Sequence, residues 1–324
     1  MATVSDHTAI EWSDATWNPT RGCTKVSAGC KNCYAEAFAE RFRGVKGHAY
    51  EQGFDMRLVP EALNLPLRWK KPRRVFVNSM SDLFHEDVPD GFVADVFNVM
   101  KAAPRHTFQV LTKRSARMSD FVRRWTGATL PLPSVWLGVS CEDQAAADER
   151  IPHLLATPAA VRFVSCEPLL APVDLTRIYG HVNIGGSADL CVDALAGRYA
   201  AAWSGRETRT DRPLSDLGAG RIDWVIVGGE SGPKARPCRI EWIRSILAQC
   251  KAAGTAAFCK QLGSCPRSAS DVFGERQEDV GGAWEHHVRD RKGGDPAEWP
   301  EDLRVREMPA RSTNVAQDRR RNRR

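Results

Sequence analysis

"RVFVNSMSD", residues 74–82, is a short run of valine and phenylalanine that stops abruptly in polar residues. The same form returns as "TFQVLTKR" (107–114), "VWLGVSCED" (135–143), "VRFVSCEPL" (161–169), "DWVIVGGES" (223–231) and "AAFCKQLG" (256–263). These runs are nearly continuous rather than alternating, which is how strands covered on both faces read. Helix-like stretches lie between them. In "DGFVADVFNVMKAAP" (90–104), Asp90 is a good N-cap, Pro104 lies past the end, and Phe92, Val93, Val96, Phe97 and Met100 share one face. In "CRIEWIRSILAQCKAAG" (238–254), Ile240, Ile243, Ile246, Leu247 and Cys250 do the same, and Gly254 sits where a C-terminal cap belongs. Alternating strand and helix predict an α/β fold with right-handed crossovers. A partial or complete parallel (β/α) barrel is favoured over an open doubly wound sheet, because polar residues mark nearly every strand end.

The rest of the chain bounds this core. At 324 residues it can hold one large domain or two smaller ones. The reading assigns residues 1–265 to the barrel-like core, with an aperiodic insertion or rim lid at about 176–221. Residues 266–324 form a polar extension, with an edge strand in "DLRVREMP" and a basic, disordered tail in "DRRRNRR". No run of eighteen apolar residues occurs, and the first residues lack a basic start followed by an apolar stretch. These features exclude a membrane span and predict a cytoplasmic, reducing location, where disulfides are rare.

In parallel barrels chemistry gathers where the strands end. Here those ends carry Asn78, Ser79 and Asp82, then Lys113 and Arg114, Glu142, Glu167, Gly228, Gly229 and Glu230, and Lys260 with Gln261. A rim is solvated, so any one of these charges is explained by exposure alone; three glutamates straight after buried strands favour a site. The two glycines allow close backbone approach, although a tight turn accounts for them almost as well.

"GCTKVSAGCKNC" (22–33) places Cys23, Cys30 and Cys33 in twelve positions. Three thiolates in C-x6-C-x2-C spacing can hold a 4Fe–4S cluster by three irons and leave the fourth open for S-adenosylmethionine. The bland alternative is a Cys3His zinc site completed by His7 or His48. Cys141, Cys166 and Cys259 read as small buried hydrophobes.

The segments "WNPTRGCTKVSAGCKNCYAE", "VFVNSMSDLFHEDVP", "FQVLTKR", "WLGVSCED", "RFVSCEPLL", "DWVIVGGESGPKARP", "FCKQLG" and "KGGDPAEWPEDLRVRE" together resemble a family of phage and bacterial proteins with a three-cysteine motif. They span residues 17 to about 307. The resemblance implies a radical-SAM-like partial barrel with its cluster at the mouth. The chain departs from the common radical signature: the first cysteine spacing is three residues longer, and Asn32 precedes the last cysteine where an aromatic residue is usual, with Tyr34 just after it.

On this reading the protein is a radical S-adenosylmethionine enzyme that abstracts hydrogen from an unknown substrate, with nucleotides or nucleic acid the favoured class. Cys23, Cys30 and Cys33 hold the cluster. Tyr34, Ser79, Asp82, Glu142, Glu167, Gly228, Gly229 and Glu230 are cofactor-binding candidates; Lys113, Arg114 and Lys260 are substrate candidates. A reductant and a partner protein encoded alongside complete the expectation. The competing reading is a zinc-stabilised nucleic-acid-binding phage protein with "RWKKPRR" (68–74) and the basic tail as its footprint. A metal-dependent hydrolase ranks last, since no strand-end motif contains a histidine.

Overall fold

A computed structural model describes residues 8, 10–181, 189–203, 206–207, 212–268, 284–285 and 288–310. Seven strands form one parallel sheet: β1 (Ala15–Trp17), β2 (Arg74–Val77), β3 (Thr107–Thr112), β4 (Val135–Ser140), β5 (Val161–Cys166), β6 (Trp224–Gly228) and β7 (Ala256–Gln261). Their order in space is their order in the chain. An open doubly wound sheet reverses direction at a switch point, and this one never does. Successive crossovers of one hand put the helices on one face, so the sheet curls into a half barrel. Helices α1 (Tyr34–Ala39) and α2 (Leu65–Arg68) lie between β1 and β2. Then α3 (Asp90–Ala102), α4 (Ser115–Arg124), α5 (Gln144–Leu155) and α6 (Ile240–Ala253) follow β2, β3, β4 and β6. Among the described residues, no α-helix follows β5. The antiparallel strands Ile178–His181, Asp189–Asp193 and Arg198–Trp203 stand there instead. The Tyr179 N–H donates to the Asp148 carboxylate on α5 (3.0 Å).

Side chains alternate along each strand between two cores. Val75, Val77, Val110, Leu137, Val139, Val164, Val225 and Val227 meet the helices, together with Cys141, Cys166 and Cys259. The opposite parity carries aromatic residues: Phe76, Trp136, Phe163, Trp224 and Phe258. Trp224 is the hub of this inner core, with ring centroids of Trp12, Trp136, Phe163 and Phe258 at 5.9, 6.0, 5.7 and 6.2 Å. Trp12, just before β1, also packs on Phe76 of β2 at 4.7 Å. It thereby joins the second strand to the sixth across the concave side. Large rings need space, and Gly138 supplies some: a Cβ there would meet the Phe163 ring at 2.6 Å.

The free edge of β7 is covered. Cys259 N–H donates to Val305 O and Glu307 N–H to Ala257 O, each at 2.8 Å, forming an antiparallel rung. Such cover blocks edge-to-edge association. The basic tail at 318–324 lies outside the described residues. No described helix is long and apolar enough to cross a membrane.

Candidate functional site

The inner core is aromatic at the bottom of the half barrel and polar at its mouth. Continuing the inward parity one step at a time leads from Phe76 to Asn78 and from Gln109 through Leu111 to Lys113. It leads likewise from Trp136 to Ser140 and Glu142, from Phe163 to Ser165 and Glu167, from Trp224 to Gly228 and Glu230, and from Phe258 to Lys260. Alternation therefore gathers Lys113, Glu142, Glu167, Glu230 and Lys260 at one opening. Cys141, Cys166 and Cys259, one residue out of phase, face the helices.

The carboxylates of this mouth are each matched. Glu142 Oε2 accepts from Arg150 Nη1 at 2.9 Å, and both side chains are almost fully buried. Burial alone would push the Glu142 carboxyl up; Lys113 and then Arg150 outweigh it and hold the carboxyl below its ordinary value. Glu167 accepts from Lys260 Nζ at 2.6 Å. This pair reaches from β5 to β7 across Gly228, which has no side chain to block it. Glu230 is gripped at both oxygens by Arg236 (2.9 and 2.6 Å), which overcomes the upward push of burial and lowers its carboxyl. Asp82 accepts from Thr112 Oγ1 (2.8 Å), Lys113 N–H (3.1 Å) and Arg114 Nη1 (3.3 Å). Lys113 differs. Its ammonium enters no hydrogen bond or ion pair among the described residues, although it is half-buried beside Glu142.

The cysteine-bearing stretch lies over this mouth and is tied to three strand ends. Arg114 Nη2 donates to Thr24 Oγ1 (2.8 Å), Gly29 N–H to Glu142 Oε1 (3.2 Å) and Asn32 Nδ2 to Glu230 Oε2 (3.0 Å). Arg236 Nη1 reaches back to Ala28 O (2.8 Å). A Cβ at Gly29 would stand 2.9–3.2 Å from the Glu142 carboxylate, so the loop sits directly on that group. Tyr34, at the start of α1, donates its phenolic hydrogen to Ser79 O and also feels the charge of Glu167. It is 59% exposed, yet surrounding protein pushes its phenol up.

Gly228 and Gly229 serve chain packing. A Cβ at Gly229 would lie 2.1 Å from Leu262 O, and one at Gly228 would lie 3.1 Å from Gln261 O. The close approach they permit is to the end of β7. Asn78 leaves β2 with φ 61°, a left-handed conformation that asparagine tolerates and that turns the chain into the Ser79–Asp82 loop.

His85, Thr24, Glu86 and Thr112 have no assigned role in the sequence reading, yet they join the loop to the rim. Asp87 N–H donates to His85 Nδ1 (3.1 Å), so the ring proton sits on Nε2 and is given to Thr24 Oγ1 (2.9 Å). Thr24 passes its own hydrogen to Glu86 Oε1 (3.0 Å), whose other oxygen holds Arg114 (2.8 Å). Burial, then Arg114, keeps His85 neutral by lowering its imidazolium value. A histidine eleven residues downstream of a strand start, between acids, was the available signal.

Comparison with known families matches residues 7–305 to the family described as "Protein of unknown function (DUF5131)", and the chain belongs to that family. No curated protein and no solved structure matches it.

The metal-centred expectations do not hold in the folded chain. Among the described residues, no group of three or more His, Cys, Asp or Glu side chains could hold a metal ion. Cys23, Cys30 and Cys33 are all described, and each thiol has local company instead. Cys23 Sγ accepts from Arg114 Nη1 (3.4 Å), and burial, then Asp82, pushes its thiol up to about 11. Cys30 Sγ faces Ser27 Oγ (3.8 Å); burial raises the Cys33 thiol as well. The 4Fe–4S cluster, S-adenosylmethionine on its open iron, the radical enzyme and the radical-SAM-like three-cysteine family all fall with that arrangement. The zinc alternative, including its zinc-stabilised phage protein, falls too. His48 stacks on Phe42 at 3.9 Å and accepts from Tyr50 N–H (3.2 Å). His7 lies outside the described residues.

Proposed function

We propose that the mouth of the half barrel binds a small anionic molecule, and that Lys113 is its principal contact. One observation carries this reading: Lys113 alone among the inward charges of the mouth has no bonded partner among the described residues. A half-buried ammonium without a bonded counter-ion favours a ligand carboxylate or phosphate. Ligand hydroxyls or amides would meet the Glu167–Lys260 pair and the Tyr34 ring. The strapped loop supplies a wall over the opening, and a site ringed by polar groups at strand ends fits the usual place for ligands in parallel α/β sheets.

The test is calorimetric titration of the full chain with inorganic phosphate, pyrophosphate, citrate and adenosine monophosphate. At least one probe should bind with a Kd of about 1 mM or tighter. Lys113→Met should weaken that probe by roughly ten-fold or more, the share of one charge-assisted hydrogen bond. Equal binding by the variant, or no binding of any probe by the parent, would refute the reading.

A further inference from the structure

A second charged surface lies at the opposite end of the sheet, where the strands begin. Arg68, Lys70 and Lys71 are exposed on the segment that leads into β2. Lys101, in the last turn of α3, and Arg105, between α3 and β3, join them. Arg105 is held there by its own hydrogen bonds, donating to Trp69 O (2.8 Å), Pro66 O (3.1 Å) and Leu67 O (2.9 Å). Carbonyl acceptors orient a guanidinium without neutralising it. Lys101 Nζ likewise donates to a carbonyl, Gly127 O (2.6 Å). None of these five cations has a carboxylate partner among the described residues. The reason is in the sequence: neither 62–81 nor 96–119 contains an Asp or Glu. Arg74, by contrast, is neutralised by Asp14 (2.9 Å), and Arg73 stacks over Trp69 at 5.2 Å.

Five uncompensated cations on one exposed end produce a field that concentrates polyanions. Two of the five are guanidinium groups, whose planar forks suit phosphodiesters, and Arg105 is already immobilised. An anionic membrane would call for apolar side chains to insert, and Leu67 is the one large exposed apolar residue of this segment. We infer that this end of the sheet is a contact surface for the phosphate backbone of a nucleic acid. The surface is independent of the mouth: four residues of β2 separate the two ends, about 13 Å.

The experiment is fluorescence anisotropy of the full chain with a labelled duplex of about 20 base pairs, titrated across roughly 50 to 200 mM salt. The parent should bind, with affinity falling steeply as salt rises. The double variant K70A/K71A should lose ten-fold or more, with a log–log salt slope shallower by about two, one for each lost phosphate contact. Arg68→Ala, tested separately, should lose affinity in the same direction if the double variant folds poorly. Lys113→Met should bind duplex like the parent, which separates this surface from the mouth. The inference is overturned by unchanged binding or slope in both surface variants, since another basic segment then carries the contact. It is overturned as well by vesicles containing phosphatidylserine binding where duplex does not, or by polyglutamate binding as tightly as duplex.

Discussion

Replacing Glu142 by glutamine tests the charge logic of the mouth most directly. Glutamine keeps the shape of the side chain and can still accept the Gly29 N–H bond, so the change removes charge and little else. Arg150 would remain buried with its guanidinium facing an amide, and Lys113 would stand beside it with no anion between them. Breaking a buried pair by removing one partner costs roughly 3–5 kcal/mol, most of it from the stranded charge. For a chain of this length the urea dependence is near the top of the usual ~1–3 kcal/mol per molar range, so the unfolding midpoint should fall by about 1–1.7 M. Adding Arg150→Met to the same chain should restore at least half of that loss, because the stranded charge is then gone. The pH dependence has a definite sign. The carboxyl is held below its unfolded value of about 4.3, so the pair stabilises fully above that value and fades as pH falls through the folded value. The glutamine variant should lose less stability than the parent over that acid range. A cost below about 1 kcal/mol, or no recovery from Arg150→Met, would refute the view that this pair is a matched, buried unit.

Two further substitutions probe its surroundings. Thr112→Val removes a buried hydroxyl that donates to Asp82 and accepts Arg114 N–H, and should cost about 1–3 kcal/mol in urea unfolding, while Thr112→Ser stays near the parent; equal costs would point to packing instead. Gly229→Ala drives a methyl into Leu262 O and should destabilise by about 3 kcal/mol or more, read the same way, with a neutral result contradicting the close β6–β7 approach.

Six of the seven strands of the main sheet were legible because each is an apolar run that ends in polar residues. β1 was not: three residues, Ala15–Trp17, are too few for any pattern to show. The polarity of the mouth was legible as well, since the strand-end residues lie in the sequence where the strands stop. Which face each residue takes was harder to read, because continuous apolar runs hide alternation. The usable signal was the position of large rings: Phe76, Trp136, Phe163, Trp224 and Phe258 take one face, and most strand valines take the other. The cysteine stretch misled for a physical reason. Spacing alone does not distinguish thiols that converge from thiols carried on a loop that straps down through its backbone and its neighbours, as Gly29, Ala28 and Asn32 do here. The partners Arg150 and Arg236 were invisible too. Each lies six to eight residues past its glutamate, and only the turn that follows the strand folds it back.

These partners also change what the mouth can recognise. Three glutamates at strand ends suggest a site for a positively charged ligand as long as they are pictured free. In the folded chain Glu142, Glu167 and Glu230 each hold an arginine or lysine, and a carboxylate already satisfied in a half-buried place gains little from a second cation. Releasing one of them to bind a ligand would strand its present partner. Lys113 carries no such obligation, so a ligand anion can approach it without breaking a bond inside the protein. The glutamates then act at one remove, by keeping Arg150, Arg236 and Lys260 occupied. On the proposed reading, selectivity for an anion at this mouth follows from the one inward charge without a bonded partner among the described residues, and it should survive substitutions in the bonded pairs that leave the fold intact.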